Sequence, residues 1–261
     1  MKAPVVLNYG GGTNSTALLI GMSERGERPD LVIFSDTGGE RPETYEYLDI
    51  MNEWLKKEMG LPLTVVRWIR KDGEFISLED WCHRFGQLPS LAYGMKGCSV
   101  KWKAQPIDKY VRKQWEPGMK AVAAGSKIVR LLGYDADEPH RVGRGGAGPG
   151  EIWDFRYPLV DWNWGRDECV DAVRRAGLPH PGKSSCFFCP AMKKPEILRL
   201  NQQHPELIAR AVAIEESAEE YNRAAVGLGR SWSWGDLVKA DEAQVKMFKD
   251  RTDIPCGCYD G

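Results

Sequence analysis

A chain of 261 residues, 42% apolar and 28% charged, carries enough apolar material for a sizeable core and the balance of a globular protein. Its formal net charge of −1 removes any whole-molecule attraction to nucleic acid or an anionic membrane, so such a partner would need a local basic surface. No apolar run approaches the ~18 residues of a membrane span, and a strand pattern stands where a signal peptide would, so the expected location is the cytoplasm, with no membrane partner. In that reducing setting, seven cysteines point to metal or redox chemistry rather than disulfides.

The first half alternates strand and helix signals. Residues 4–9 form a short apolar run that breaks at three glycines, and a helix follows over 15–23. A second apolar strand spans 31–34 and closes on Asp36-Thr37-Gly38. Residues 42–57 read as a helix, with proline in the first turn and Glu43 and Glu46 suited to its positive end. A third strand spans 63–66. Continuous apolar strands alternating with helices predict an α/β protein built on a doubly wound parallel sheet, helices covering both faces. Further on come a short helix over 78–84, a helix over 99–115, and strand candidates at 122–124 and 128–132. Beyond 152–159 the pattern turns helical, over 167–176, 195–201, 205–223 and 236–249. This predicts a nucleotide-binding core over 1–150 and a helical C-terminal region over 151–261. Trp232 and Trp234 are candidates to line a groove, whereas Cys82 and Cys169 fall in apolar helical patterns and read as core.

Two segments carry chemistry. Gly10-Gly11-Gly12-Thr13-Asn14-Ser15 joins the first strand to the first helix. Absent side chains let a phosphate reach the backbone, and the unpaired N–H groups of the helix start carry partial positive charge. Gly-x-Gly-x-x-Gly and Gly-x-x-x-x-Gly-Lys-Ser/Thr are both absent, which excludes the dinucleotide fingerprint and the Walker loop. The second segment is Cys186-Phe187-Phe188-Cys189, whose spacing turns two sulfurs around one tight loop. With Cys98 it makes a three-thiolate set suited to zinc or an iron–sulfur cluster.

The glycine turn resembles the PP-loop, Ser-Gly-Gly-x-Asp-Ser, of the adenine-nucleotide α-hydrolase-like superfamily. Gly10 stands for the first serine and Asn14 for the aspartate, while Gly11, Gly12 and Ser15 match. Further segments resemble the phosphoadenosine phosphosulfate (PAPS) reductase branch, in order along residues 5–190. They are Asp36-Thr37-Gly38, Cys98 with Lys101 and Pro106-Ile107, the acidic–arginine stretch Asp135 to Arg141, Tyr157-Pro158-Leu159 through Trp162, and the closing Cys-x-x-Cys. The resemblance implies an enzyme binding ATP, with Mg2+, through Gly10, Gly11, Gly12, Thr13, Asn14, Ser15, Asp36, Thr37 and Gly38, with Lys101, Asp137 and Arg141 toward the substrate.

It also implies a [4Fe–4S] cluster on Cys98, Cys186 and Cys189, with zinc as the alternative. Gly97 stands where some relatives place a further cysteine, which leaves the fourth ligand to Cys256, Cys258, a substrate or an external group. Two chemistries remain open. One is adenylation of an acceptor, a nucleic acid or a small molecule, followed by sulfur transfer from a donor protein, as in tRNA-thiolating relatives. The other is reduction of a sulfonucleotide by Cys256 or Cys258 of the terminal Cys-Gly-Cys. A non-catalytic nucleotide- or metal-binding module is the reading from outside the enzymes.

Overall fold

The computed structural model describes residues 2–143, 151–219 and 224–252. Five parallel strands form one sheet: β1 (Val5–Asn8), β2 (Leu31–Asp36), β3 (Leu63–Arg67), β4 (Ile128–Leu131) and β5 (Trp153–Arg156), in the order β3-β2-β1-β4-β5. The register sets Val6 against Leu31, Val32 against Leu63, Val5 against Val129 and Ile128 against Trp153. β2 is buried along its whole length, which is why its first four residues, Leu31 to Phe34, read as an apolar run.

Helices cover both faces. On one, Leu7, Val32, Phe34 and Leu131 pack with α1 (Thr13–Glu24), α2 (Pro42–Met59) and α7 (Arg166–Arg175). On the other, Val6, Ile33 and Ile128 pack with Ile107 and Val111 of α4 (Gln105–Lys113) and Ala121 of α5 (Glu116–Ala123). The alternation of Val6 and Leu7 between these clusters is the period-two signature of a strand buried on both sides. α1 and α2 carry the chain outward from β1 to β3. The chain then returns across β1 to place β4 on its other side, so β1 and β4 flank a topological switch point.

The chain divides into two compact units. The first comprises residues 1–77 and 99–186, the second 78–98 and 187–261. This differs from the boundary expected at 150, because β5 pairs with β4 and α7 packs on α1, extending the sheet unit to 186. The second unit holds α3 (Leu78–Phe85), α8 (Lys194–Gln203), α9 (Pro205–Glu219) and α10 (Trp234–Thr252). Within it, Arg210 of α9 reaches Glu79 of α3 through Nε at 2.9 Å. Glu215 lies buried and accepts backbone N–H bonds from Leu228 (2.7 Å), Trp234 (2.9 Å) and Gly235 (3.1 Å), fastening the loop ahead of α10.

Three expected elements differ. Residues 122–124 are no strand: Val122 and Ala123 end α5, whose Gly118 packs so closely on α4 that a Cβ there would lie 2.3 Å from the Val111 carbonyl oxygen. The helix expected from 99 to 115 begins instead as a π-turn over Ser99–Ala104 and becomes α-helical at Gln105. Trp234 is fully buried core and lines no groove. Cys82 and Cys169 are core as expected, burial pushing each thiol up to about 12.

Candidate functional site

The glycine turn leaves β1 after Tyr9 and enters α1 at Thr13. Gly11 takes φ +73°, a left-handed conformation that a side chain would strain, and a Cβ there would come 3.1 Å from Thr44 Cγ2. Gly12 is the residue before the helix, with extended backbone and no side-chain cap, and α1 has no acidic residue in its first turn. The helix start therefore presents donors that no acidic residue of its own first turn neutralises. Ser15 ties the turn together, its Oγ accepting from Gly10 N at 3.2 Å and donating to the Gly12 carbonyl at 3.1 Å. Across the switch point, Gly133 follows β4 so closely that a Cβ would lie 3.0 Å from the Ser15 backbone. The turn is thus clasped by glycine-lined approaches on both sides.

Charged groups from distant parts of the chain surround the first turn of α1. Asn14 donates through Nδ2 to Asp135 Oδ2 at 2.7 Å and accepts through Oδ1 from Arg166 Nη1 at 3.1 Å. Thr13 Oγ1 lies 3.2 Å from His180 Nε2. Desolvation, with the Arg166 guanidinium adding to it, holds this imidazole below the ordinary histidine range and hence neutral at pH 7. Ser184 meets the turn as well, its Oγ 3.1 Å from where a Gly12 Cβ would stand.

The other residues singled out in the sequence have definite places. Asp36, 1% exposed, accepts from Gly38 N (2.8 Å), Tyr45 Oη (2.9 Å) and Arg67 Nε (2.8 Å), so both its oxygens are engaged in its own turn. Thr37 Oγ1 contacts Cys186 Sγ at 3.1 Å and donates to Glu40 Oε1 at 3.3 Å, and Lys103 Nζ reaches the same oxygen at 3.3 Å. Gly38 takes φ +74° against Ser77. Asp137 caps α7, accepting from Arg166 N at 2.7 Å. Arg141 pairs with Glu138 at 2.7 Å and lies over the Tyr134 ring at 4.1 Å. Lys101 lies over Trp68 (4.3 Å) and Trp102 (4.5 Å), and burial holds its ammonium below the ordinary lysine range.

Of the thiolate set, Cys186 belongs to the first unit and Cys98 and Cys189 to the second. Cys98 N donates to Ser90 Oγ at 2.6 Å. Among the described residues no group of three His, Cys, Asp or Glu side chains is arranged to hold a metal ion. Cys256 and Cys258 lie outside the described residues. The residues that sequence reasoning missed are Asp135, Arg166, His180, Ser184, Glu40 and Lys103. Asp135 opens the acidic–arginine stretch, two residues before Asp137. For Arg166 and His180 no local pattern marks the role.

A parallel sheet of order 3-2-1-4-5 with a glycine turn at its switch point defines an open α/β protein of the kind that takes ligands at the carboxyl ends of its strands. No family model matches the chain. It is similar to the uncharacterized protein MJ0066 of Methanocaldococcus jannaschii, 23% identical over 241 residues, covering 89% of this chain and 45% of that protein. The chain thus spans under half the length of that relative. Among solved structures it is similar to the U34-tRNA thiolase NcsA from Methanococcus maripaludis with its [4Fe–4S] cluster. That match has 13% identity and a TM-score of 0.41, covering 87% of this chain and 76% of the other. The α/β description rests on the strand order itself.

Proposed function

We propose that the protein is a PP-loop-type enzyme that binds ATP by its phosphates at the Gly10–Ser15 turn and uses it to adenylate an acceptor for sulfur transfer. The observation that carries this reading is the turn itself: Gly11 in the left-handed region, an uncapped Gly12, and a helix start without acidic residues, all at the switch point. Thr13, Asn14 and Ser15 add side-chain donors, and Arg166 supplies a cation one hydrogen bond from the turn. The acceptor's oxygen attacks the α-phosphorus and pyrophosphate leaves; a sulfur nucleophile then displaces AMP. Each step develops negative charge on phosphate oxygens, which fixed donors stabilise without reorganising.

The thiolate centre of Cys98, Cys186 and Cys189, as an iron–sulfur cluster or zinc, enters this proposal on its sequence spacing alone. Iron, sulfide and zinc analysis of anaerobically purified protein tests it, and metal-free protein would remove it. Membership of the PAPS reductase branch rests on the ordered segments of the sequence. Sulfonucleotide reduction additionally requires Cys256 or Cys258.

Gly11→Val tests the phosphate cradle. We expect at least a tenfold loss of ATP affinity by calorimetry, about 1.4 kcal/mol, with the fold retained by circular dichroism. Gly26→Ala is the control: Gly26 has a similar φ of +67° with open space around it, so strain there should cost stability and leave affinity alone. Unchanged ATP affinity in folded Gly11→Val would overturn the reading.

A further inference from the structure

We propose that Asp135 is the divalent-cation ligand of the nucleotide site, the carboxylate through which this chain would hold the Mg2+ accompanying a nucleoside triphosphate. The proposal rests on the nucleotide reading above and names a residue that reading does not use.

Asp135 stands two residues past Gly133, in the turn that leaves β4 beside the glycine turn, and is 3% exposed. Its Oδ2 accepts the 2.7 Å bond from Asn14 Nδ2. Its Oδ1 is buried and has no hydrogen-bond partner among the described residues. A buried carboxylate ordinarily gathers donors or a cation for both oxygens, because an unpaired charged oxygen forfeits its hydration without replacement. Arg166 directs Nη1 to Asn14 and its backbone N–H to Asp137. Asp135 also adds its charge to the environment that holds the Cys169 thiol protonated.

Mg2+ suits that deficit. It takes oxygen ligands, and in nucleotide sites it binds through one or two carboxylates together with substrate phosphates and water. Asn14, the second residue of α1, offers only a neutral amide at the turn, so the carboxylate must come from another strand end, and Asp135 is the buried one hydrogen-bonded to it. The Asn14 carboxamide is held at one end by Arg166 and at the other by Asp135. A phosphate that takes Arg166 leaves Asn14 with a single anchor. The metal carried by the triphosphate then supplies the partner that Asp135 Oδ1 lacks, Oδ2 keeping its bond from Asn14. In this arrangement Asp137, held as the cap of α7, has no part in metal binding.

The experiment is calorimetric titration of the whole chain with ATP in Mg2+ and in EDTA, alongside Mn2+ electron paramagnetic resonance in the presence of ATP. Wild type should bind ATP at least tenfold more tightly with Mg2+, and Mn2+ should be immobilised. Asp135→Asn should lose the Mg2+ enhancement and the immobilised Mn2+ signal while keeping the EDTA affinity. Enhancement retained in folded Asp135→Asn would overturn the proposal. So would equal wild-type affinity in Mg2+ and EDTA, a result independent of how any variant folds and one that leaves the phosphate cradle standing. Absence of ATP binding in both buffers would remove the cradle and the metal ligand together.

Discussion

Asp36 carries three hydrogen bonds at the end of its strand. Gly38 N, Tyr45 Oη and Arg67 saturate it, so the carboxylate fixes the turn in which Thr37 faces Cys186. The phenol of Tyr45 is accordingly raised far above its ordinary range, by burial first and by the neighbouring Asp36 charge next. We expect Asp36→Asn to lower the melting temperature, through the loss of about 1–3 kcal/mol of charge-assisted bonding, with ATP affinity within twofold of wild type. A melting scan and a calorimetric titration of the same sample check both halves. A parallel fall in affinity would return Asp36 to the ligand.

At the scale of elements, Glu215 on α9 is the fastening of the second unit. Its carboxylate receives three backbone donors across the 224–235 loop, and a carboxamide in its place would turn an N–H2 group toward some of them. Glu215→Gln should therefore cost about 1–3 kcal/mol, read as a lower melting temperature. Burial, the largest influence on this carboxyl, raises it above the ordinary glutamate range despite those donors. Between the unfolded and folded values the native state holds the proton longer. This group's contribution is thus full below about pH 4.5, the unfolded range, and declines as pH rises through the folded value. The glutamine variant should lack that slope in denaturant titrations from pH 4 to 7.

The same scale shows what the sequence made legible. The Val5–Leu7 and Leu31–Phe34 runs of β1 and β2 could be read because a strand covered on both faces is mostly apolar, and the glycine turn because its left-handed Gly11 has few substitutes. The Asn14 and Thr13 partners could not. Asp135, Arg166 and His180 lie 121, 152 and 167 residues away, and only the crossing of the chain over the sheet brings them to the turn. Residues 122–124 misled because a short Ala/Val run has no period to separate strand from helix, and packing of Gly118 on α4 decided for helix.

For the whole molecule, the division at 77/78, 98/99 and 186/187 makes a cut at residue 150 the wrong one. A fragment of residues 1–150 would lose β5, α7 and the Arg166 and His180 partners of the turn, and would leave α3 without α9. We expect it to melt without a cooperative transition by circular dichroism and to aggregate, whereas the whole chain melts cooperatively. A sharp transition in the fragment would show that the sheet closes with four strands.

The split second unit also sets an order in time. Residues 78–98 leave the ribosome well ahead of residue 187, where the rest of their unit begins, and at ordinary synthesis rates that gap lasts roughly 4–18 s. Throughout it the apolar side of α3, with Leu78 and Cys82 that end up buried, has no α9 to close against. The nascent chain therefore carries a temporary sticky surface whose lifetime is set by translation speed. Slow codons between positions 99 and 186 would lengthen that exposure, and a holding chaperone would find purchase on this short helix.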